Sequence, residues 1–176
     1  MHLWDSEQFW LKAKAYIDRA NEFDHLSTDF AFWSALSIEL LARSALTHVH
    51  PVLNADPRED TNLLYGCGYE LTAEPKSLPL QAVYLRLEKT VAGYGSAHRK
   101  LCDFLSVLRN EELHTTKLAF ENLKPTKWLP RFYEVIKVLC EFRGKTLESF
   151  LGTEFTEVAI KLIATLAQER LIEVKS

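Results

Sequence analysis

The most constraining feature of the sequence is an apolar stretch over residues 30–46, in which Glu39 and Arg43 are the only charged side chains. Large apolar residues fall on every side of a helix built from this stretch. A helix without a polar face belongs in the interior of a protein. The stretch is too short to cross a bilayer, which takes about 20 apolar residues. We therefore predict a helix over residues 28–48 that lies in the middle of a bundle and is the most buried element.

The rest of the chain shows helical periodicity in separate segments, most of them bounded by one of its six glycines or six prolines. No segment alternates steadily between apolar and polar residues, so we expect no sheet beyond an incidental pair of short strands. The predicted fold class is all-α, an up-down bundle of four or more long helices with short satellite helices. A length of 176 residues predicts one domain over 1–176. The other predicted helices span residues 4–23, 57–65, 79–92, 118–123, 128–142, 147–151 and 155–174, with one more beginning at residue 96.

Local signals predict where some helices begin and end. Asp5 or Ser6 is expected to cap the first helix. The short helix over 57–65 has Asp56 as its expected cap, Pro57 in its first turn and Gly66 at its end. The side chains of Trp10, Trp33, Phe104, Cys102 and Cys140 are predicted to lie in the core.

Composition and charge exclude several classes of protein. A net charge of −3 and a pI near 6.1 argue against a protein that coats nucleic acid, though not against one that cuts it at a small site. Three widely spaced cysteines predict neither a disulfide framework nor a zinc site. The first residues lack the basic and apolar regions of a signal peptide, so we expect a cytoplasmic protein with no membrane partner. His48 and His50 lack a third ligand, so we expect helix capping there, and neither a metal nor a cofactor.

The strongest candidate for chemistry is RNEELH, residues 109–114. A glutamate stands where the apolar stripe of this helix would continue, so the buried face breaks where Arg109, Asn110 and His114 cluster. Asn110 and His114 are four apart and share a helix face. Arg109 and His114 are five apart, about 140° around an ideal helix. Their functional groups can meet only if the long arginine side chain bends toward the histidine, if the helix has a local kink, or if one of the two comes from a partner subunit. A solvated helix end is the alternative interpretation.

This segment resembles the motif of the HEPN superfamily (higher eukaryotes and prokaryotes nucleotide-binding domains). Its members are helical bundles with an R-x(4–6)-H motif, in which Asn, Asp or His often follows the arginine. The stretch FWSALSIELLARSAL, residues 32–46, is similar to the early apolar helix of the family. The resemblance spans roughly residues 28–145, expected as the core of the domain, and points to an uncharacterised bacterial branch. The matching motif residues are Arg109, Asn110 and His114.

The resemblance implies a metal-independent endoribonuclease that cleaves RNA through its 2′-OH. His114 would act as base or acid near neutral pH, and Arg109 would hold the phosphate oxygens. Asn110 would orient the histidine or bind a phosphate oxygen. Cleavage needs both a base and an acid, and one histidine per chain can supply only one of them. A homodimer that brings two motifs together is therefore expected, as in other members of the family.

The resemblance also implies toxin, phage-defence or stress biology, with a cognate antitoxin or regulator as a potential partner. One branch of HEPN toxins has a tyrosine two residues after the histidine, where the antitoxin modifies it. Thr116 stands at that position here, so that mode of regulation is not expected.

Other charged residues have two interpretations each. In one interpretation, Glu39 and Arg43 form an internal ion pair that orients the bundle. In the other, Glu39 contacts Arg109 or His114 and orients that side chain. Residues 117–145 hold seven Lys or Arg and three Glu. They form either a solvated face or a surface that guides RNA to His114. The candidate RNA-binding residues are Lys117, Lys124, Lys127 and Arg131.

A second function of a different class fits the same motif. This alternative is a non-catalytic HEPN-like module that binds a nucleotide or a protein partner. The two functions differ in whether Arg109 and His114 meet in a cleft with room for a phosphate.

Overall fold

The computed structural model describes residues 2–70 and 74–173, and nearly all regular structure within them is helical. The predicted all-α class is confirmed. One isolated bridge between Ala55 and Ser77 is the only β-type pairing in these ranges. The predicted end of the last helix at Val174 lies outside the described residues. The helices are α1 (Ser6–Ala20), α2 (Thr28–Val49), a 3₁₀ turn (Pro51–Asn54), α3 (Asp60–Gly66), α4 (Leu80–Thr90), α5 (Ser96–His114), α6 (Pro125–Phe142), α7 (Leu147–Leu151) and α8 (Thr153–Glu173).

The helix α2 is the central element, and it contacts α1, α4, α5 and α6. Thirteen of its 22 residues are buried, a larger share than in α1, α4, α5 or α6. The helix begins where the Ser27 hydroxyl accepts a 3.1 Å hydrogen bond from the N–H of Phe30. Its buried apolar side chains belong to one cluster that extends from α1 to α8. The predicted burial of this helix is therefore confirmed.

The first helix begins as predicted, whereas the short helix does not. The carboxylate of Asp5 accepts a 2.8 Å hydrogen bond from the N–H of Gln8 and caps α1. Asp56 does not cap α3, because its carboxylate binds the Arg58 side chain and its N–H donates to the Lys76 carbonyl at 3.1 Å. The chain makes a turn at residues 57–58, and Glu59 is extended, so α3 begins only at Asp60.

The residue at the end of α3 must be glycine because two backbones approach closely there. A Cβ atom on Gly66 would lie 2.5 Å from the Cα of Val52 in the 3₁₀ turn. This is far shorter than any van der Waals contact, so the missing side chain lets α3 pack against the turn.

The segment between α5 and α6 differs from the prediction. Residues 118–123 form turns instead of a helix, and α6 begins at Pro125 rather than at Trp128. Proline suits the first helical position because it has no N–H to satisfy. The carboxylate of Glu112 accepts a 2.6 Å hydrogen bond from the N–H of Ala119 and holds the turns against α5.

The core predictions hold for four of the five side chains. Trp10, Cys102 and Cys140 are buried, and Trp33 is half-buried against the core. Burial raises the pKa of both cysteine thiols to about 12. Phe104 is the exception, because it is 45% exposed and lines a groove between α5 and α6.

Among the described residues, no helix is both long and apolar enough to cross a membrane.

Candidate active site

Arg109 is the motif residue that the fold holds in place. It lies five residues before the end of α5, and its side chain is 18% exposed. Its Nη2 donates a 2.6 Å hydrogen bond to Oε2 of Glu39 on α2. This is the only hydrogen bond that its guanidinium makes to a described residue. The rest of its five N–H groups therefore remain for a ligand at the accessible edge.

Glu39 connects two arginines from two helices. Its Oε1 lies 3.5 Å from Nε of Arg43 within α2, while its Oε2 accepts the hydrogen bond from Arg109. Both sequence interpretations of Glu39 therefore hold at once, an internal ion pair and a support for Arg109. One carboxylate between two guanidinium groups leaves the cluster with one positive charge in excess. An excess of this sign favours a bound phosphate.

The position of Arg43 depends on residues that the sequence analysis did not identify. Its Nη1 donates a 2.8 Å hydrogen bond to Oδ1 of the buried Asn54, and its Nη2 donates a 3.1 Å bond to the Leu78 carbonyl. A continuous set of polar contacts thus runs from the 3₁₀ turn through Arg43 and Glu39 to Arg109. The sequence offered only a weak signal for Asn54, an amide directly after an apolar tract.

Asn110 and His114 lie on the surface of α5. Both side chains are exposed, and no hydrogen bond to a described residue orients the His114 imidazole. The helix remains α-helical through His114, so no kink reduces the angle of about 140° between Arg109 and His114. Arg109 points toward α2 and His114 points toward solvent. No hydrogen bond between described residues joins these two side chains.

The two glutamates inside the motif restrain the loop that follows it. Glu112 accepts the hydrogen bond from Ala119, and Glu111 pairs with Nζ of Lys117 at 3.0 Å. Carboxylates in the last turn of a helix are disfavoured by the helix dipole. That unfavourable position was the available sequence signal that Glu111 and Glu112 make specific contacts. Together they fix the backbone beyond His114.

The candidate RNA-binding residues separate into two places. Lys117 lies beside the motif and is paired with Glu111. Lys124, Lys127 and Arg131 line a groove of about 1160 Å³ between the first turns of α5 and α6, to which Lys100 of α5 also contributes. We call this the basic groove. Neither Arg109 nor His114 is among its lining residues.

The histidines outside the motif have structural contacts. His50 caps the 3₁₀ turn, because its Nδ1 accepts a 3.2 Å hydrogen bond from the N–H of Val52. The ring of His48 packs edge-on against Phe142 with centroids 6.1 Å apart. Among the described residues, no three His, Cys, Asp or Glu side chains are placed to hold a metal ion.

Replacement of Glu39 by glutamine tests the two roles of this side chain. The amide can still accept the hydrogen bond from Arg109, but it leaves the buried Arg43 and the half-buried Arg109 without a countercharge. We expect a loss of about 1–3 kcal/mol in the free energy of unfolding, below the cost for a fully buried pair because Glu39 is partly exposed. If the chain cleaves RNA as the sequence resemblance implies, the rate of cleavage should fall by less than about tenfold. Urea denaturation and initial cleavage rates measure the two effects.

The matched control is Glu22→Gln, which removes an exposed ion pair with Arg19. An exposed pair contributes about 0–1 kcal/mol, so this variant should stay close to the wild type. Equal stability of Glu39→Gln and Glu22→Gln would contradict a structural role for the Glu39 cluster.

Comparison with protein-family models, curated proteins and solved structures finds no match to this chain.

Proposed function

We propose that the protein is a metal-independent endoribonuclease of the HEPN type, which cleaves RNA through the 2′-OH of its substrate. The observation that carries this proposal is the ion pair between Arg109 and Glu39 at 2.6 Å. A carboxylate that accepts a hydrogen bond from one guanidinium nitrogen restrains the group, and the remaining N–H groups can bind oxygens of a phosphate. In the transition state such a group stabilises the charge that develops on the phosphorane.

The other two motif residues supply proton transfer and positioning. His114 is exposed at the end of α5, where RNA can reach it. An imidazole can accept the 2′-OH proton or donate a proton to the leaving 5′-oxygen. Asn110 lies one turn before His114 on the same face of α5, so its amide can orient the imidazole or bind a phosphate oxygen.

A two-fold homodimer would complete this site. Arg109 and His114 diverge on one helix, and one imidazole cannot serve as base and acid in the same step. Two chains with facing RNEELH segments would place an imidazole of one chain near the guanidinium of the other. We expect light scattering during size-exclusion chromatography to give about twice the chain mass of 20.3 kDa. A monomer at high micromolar concentration would remove this arrangement.

The chemistry is tested by the products of cleavage. Purified protein is incubated with single-stranded RNA in excess EDTA, and the new ends are identified by mass spectrometry. Attack by the 2′-OH leaves a 2′,3′-cyclic phosphate and a 5′-hydroxyl, and no metal is needed. Cleavage that stops in EDTA, or that leaves a 5′-phosphate, would contradict the proposal.

A non-catalytic HEPN-like binding module is the second candidate, and the exposure of His114 favours it. No described hydrogen bond fixes the imidazole, whereas a catalytic histidine is normally oriented by a partner. Such a module would bind a nucleotide or a protein partner through Arg109. Binding would then survive His114→Ala and be lost in Arg109→Ala, with no RNA cleavage by either variant or by the wild type.

The biological setting follows from the proposed activity. An endoribonuclease of this type would act as a toxin, in phage defence or in a stress response, under a cognate antitoxin or regulator. Thr116 replaces the tyrosine that one family branch uses for modification. Control by a bound partner is therefore proposed here, rather than modification at that position.

A further inference from the structure

The basic groove collects positive charge on a protein with a net charge of −3. Lys124, Lys127 and Arg131 occupy positions i, i+3 and i+7, so they lie along one face at the start of α6 and span about 10 Å. Lys100 approaches from α5. All four side chains are exposed, and none forms an ion pair with a described residue. Their charge is therefore available to a ligand.

The acidic residue in the groove does not cancel these charges. Glu134 is the only Asp or Glu among the lining residues described. It accepts two hydrogen bonds from Arg170, at 2.6 and 2.9 Å, and lies 3.4 Å from Nε2 of His98. Burial raises the pKa of Glu134, but the hydrogen bonds and charge of Arg170, with a smaller contribution from the His98 contact, bring it below its ordinary value. The carboxylate is thus ionised and already paired.

The beginning of α5 is more ordered than its charged sequence suggests. His98 accepts a 3.0 Å hydrogen bond from the N–H of Gly95, and Arg99 pairs with Glu88 at 2.6 Å. Lys100 also lines the groove and makes no ion pair with a described residue.

An aromatic ring gives the groove a second property. Phe104 is 45% exposed and lines the same wall as Leu101, one helical turn away on α5. The buried Trp128 lines the opposite side from α6. A row of cations beside an exposed aromatic ring is the arrangement that binds single-stranded nucleic acid, because the backbone follows the charge while a base stacks on the ring.

We propose that the basic groove binds the phosphodiester backbone of a single-stranded nucleic acid, with one base stacked on Phe104. A duplex does not fit this arrangement, because its bases are already stacked and paired. The groove is separate from the Arg109 cluster, so this binding does not depend on cleavage. If the proposed ribonuclease activity holds, the groove provides a second contact for the RNA at the opposite end of α5 from His114.

The test is fluorescence anisotropy with a labelled single-stranded DNA of 12 thymidines, which the proposed mechanism cannot cut, and with 12-mer uridine RNA. The RNA is measured with the His114→Ala chain to keep it intact. Four phosphate contacts predict a slope of about −3 for log K against log salt. The double variant Lys127→Ala, Arg131→Ala should reduce the slope to about −1.5 and weaken binding about 20-fold at 0.1 M salt. Phe104→Ala should weaken it about fivefold or more.

The matched control is the double variant Lys12→Ala, Lys161→Ala, which removes two exposed lysines outside the groove. It changes net charge equally and should leave slope and affinity close to those of the wild type. Circular dichroism confirms that each variant keeps its helices. Equally tight binding of DNA and RNA would show that the groove recognises the phosphodiester backbone that both share. Tighter binding of RNA would show an additional contact to the 2′-OH.

Four outcomes would overturn the proposal. The first is that the control pair weakens binding as much as the groove pair does. The second is that a 12-base-pair duplex binds as tightly as the single strand, and the third is that Phe104→Ala binds with unchanged affinity. The fourth is that poly-glutamate displaces the labelled strand as effectively as unlabelled DNA does. The last result would assign the groove to an acidic protein segment. Because the DNA arm needs no cleavage, failure of the ribonuclease assay leaves this test intact, and failure here leaves the cleavage assay intact.

Discussion

Replacement of His114 by alanine is expected to lower the rate of RNA cleavage by about 10²–10⁴, the usual contribution of a general acid or base. His114 is the only histidine in the motif, and its exposed position at the end of α5 means that its loss leaves the core unchanged. The measurement is the initial rate of cleavage of a labelled single-stranded RNA under single-turnover conditions.

The matched control for this variant is His48→Ala. His48 is also exposed, at the end of α2, and takes no part in the proposed chemistry. This variant should keep the wild-type rate within about twofold. Full activity of His114→Ala would show that His114 does not catalyse cleavage, whatever the result for the control.

Replacement of Arg109 by lysine is expected to lower the rate by about 10²–10³, nearly as much as replacement by alanine. An ammonium group can pair with Glu39, but it lacks the planar arrangement of several N–H donors that can bind a carboxylate and a phosphate at the same time. Single-turnover rates for Arg109→Lys and Arg109→Ala give the comparison.

Urea denaturation separates this effect from a loss of folding. Arg109→Lys keeps a cation beside Glu39, so its free energy of unfolding should stay within about 1 kcal/mol of the wild type. Arg58→Lys, at a side chain that is 76% exposed, is the control for the same substitution elsewhere. A lysine at position 109 that restores most of the activity would show that charge alone is enough there.

The central helix could be predicted because its signal is contained in the helix itself. Residues 30–46 contain only two charged side chains among 17 residues, and a helix of this composition is favourable only in the interior of a helical protein. The pairing of Glu39 with Arg43 was predictable for the same reason, since four residues along a helix bring two side chains together.

Contacts between distant parts of the chain could not be predicted in this way. Glu39 and Arg109 are 70 residues apart, and no local pattern indicates that α2 and α5 meet at these positions. The misplaced start of α3 has a similar cause, because Asp56 is held by the Lys76 carbonyl rather than by its own helix.

The exposure of Phe104 shows a further limit of periodicity. Its spacing places it on the apolar stripe of α5, but a stripe does not reveal where the neighbouring helix stops covering it. In the structure the groove between α5 and α6 leaves this ring accessible. The basic residues of α6 were recognisable from the sequence, whereas their approach to Lys100 and Phe104 depends on how the two helices pack.

The arrangement of α5 connects the two proposals. Its first turns line the basic groove, and its last turns hold Arg109 and His114. Nineteen residues of α-helix extend over about 28 Å, so an RNA strand that occupies both places would lie along this helix. Binding in the groove would then raise the local concentration of RNA at the motif.

The most direct test of the central claim compares two RNA strands that differ at one atom. After the cleavage position in an oligonucleotide has been mapped, a second strand is made with a 2′-deoxy sugar at the nucleotide that supplies the 2′-OH. The account predicts that wild-type protein in EDTA cuts the all-ribose strand and leaves the substituted strand uncut at that position, because the nucleophile has been removed. Cleavage of both strands at the same position and at equal rates would contradict it.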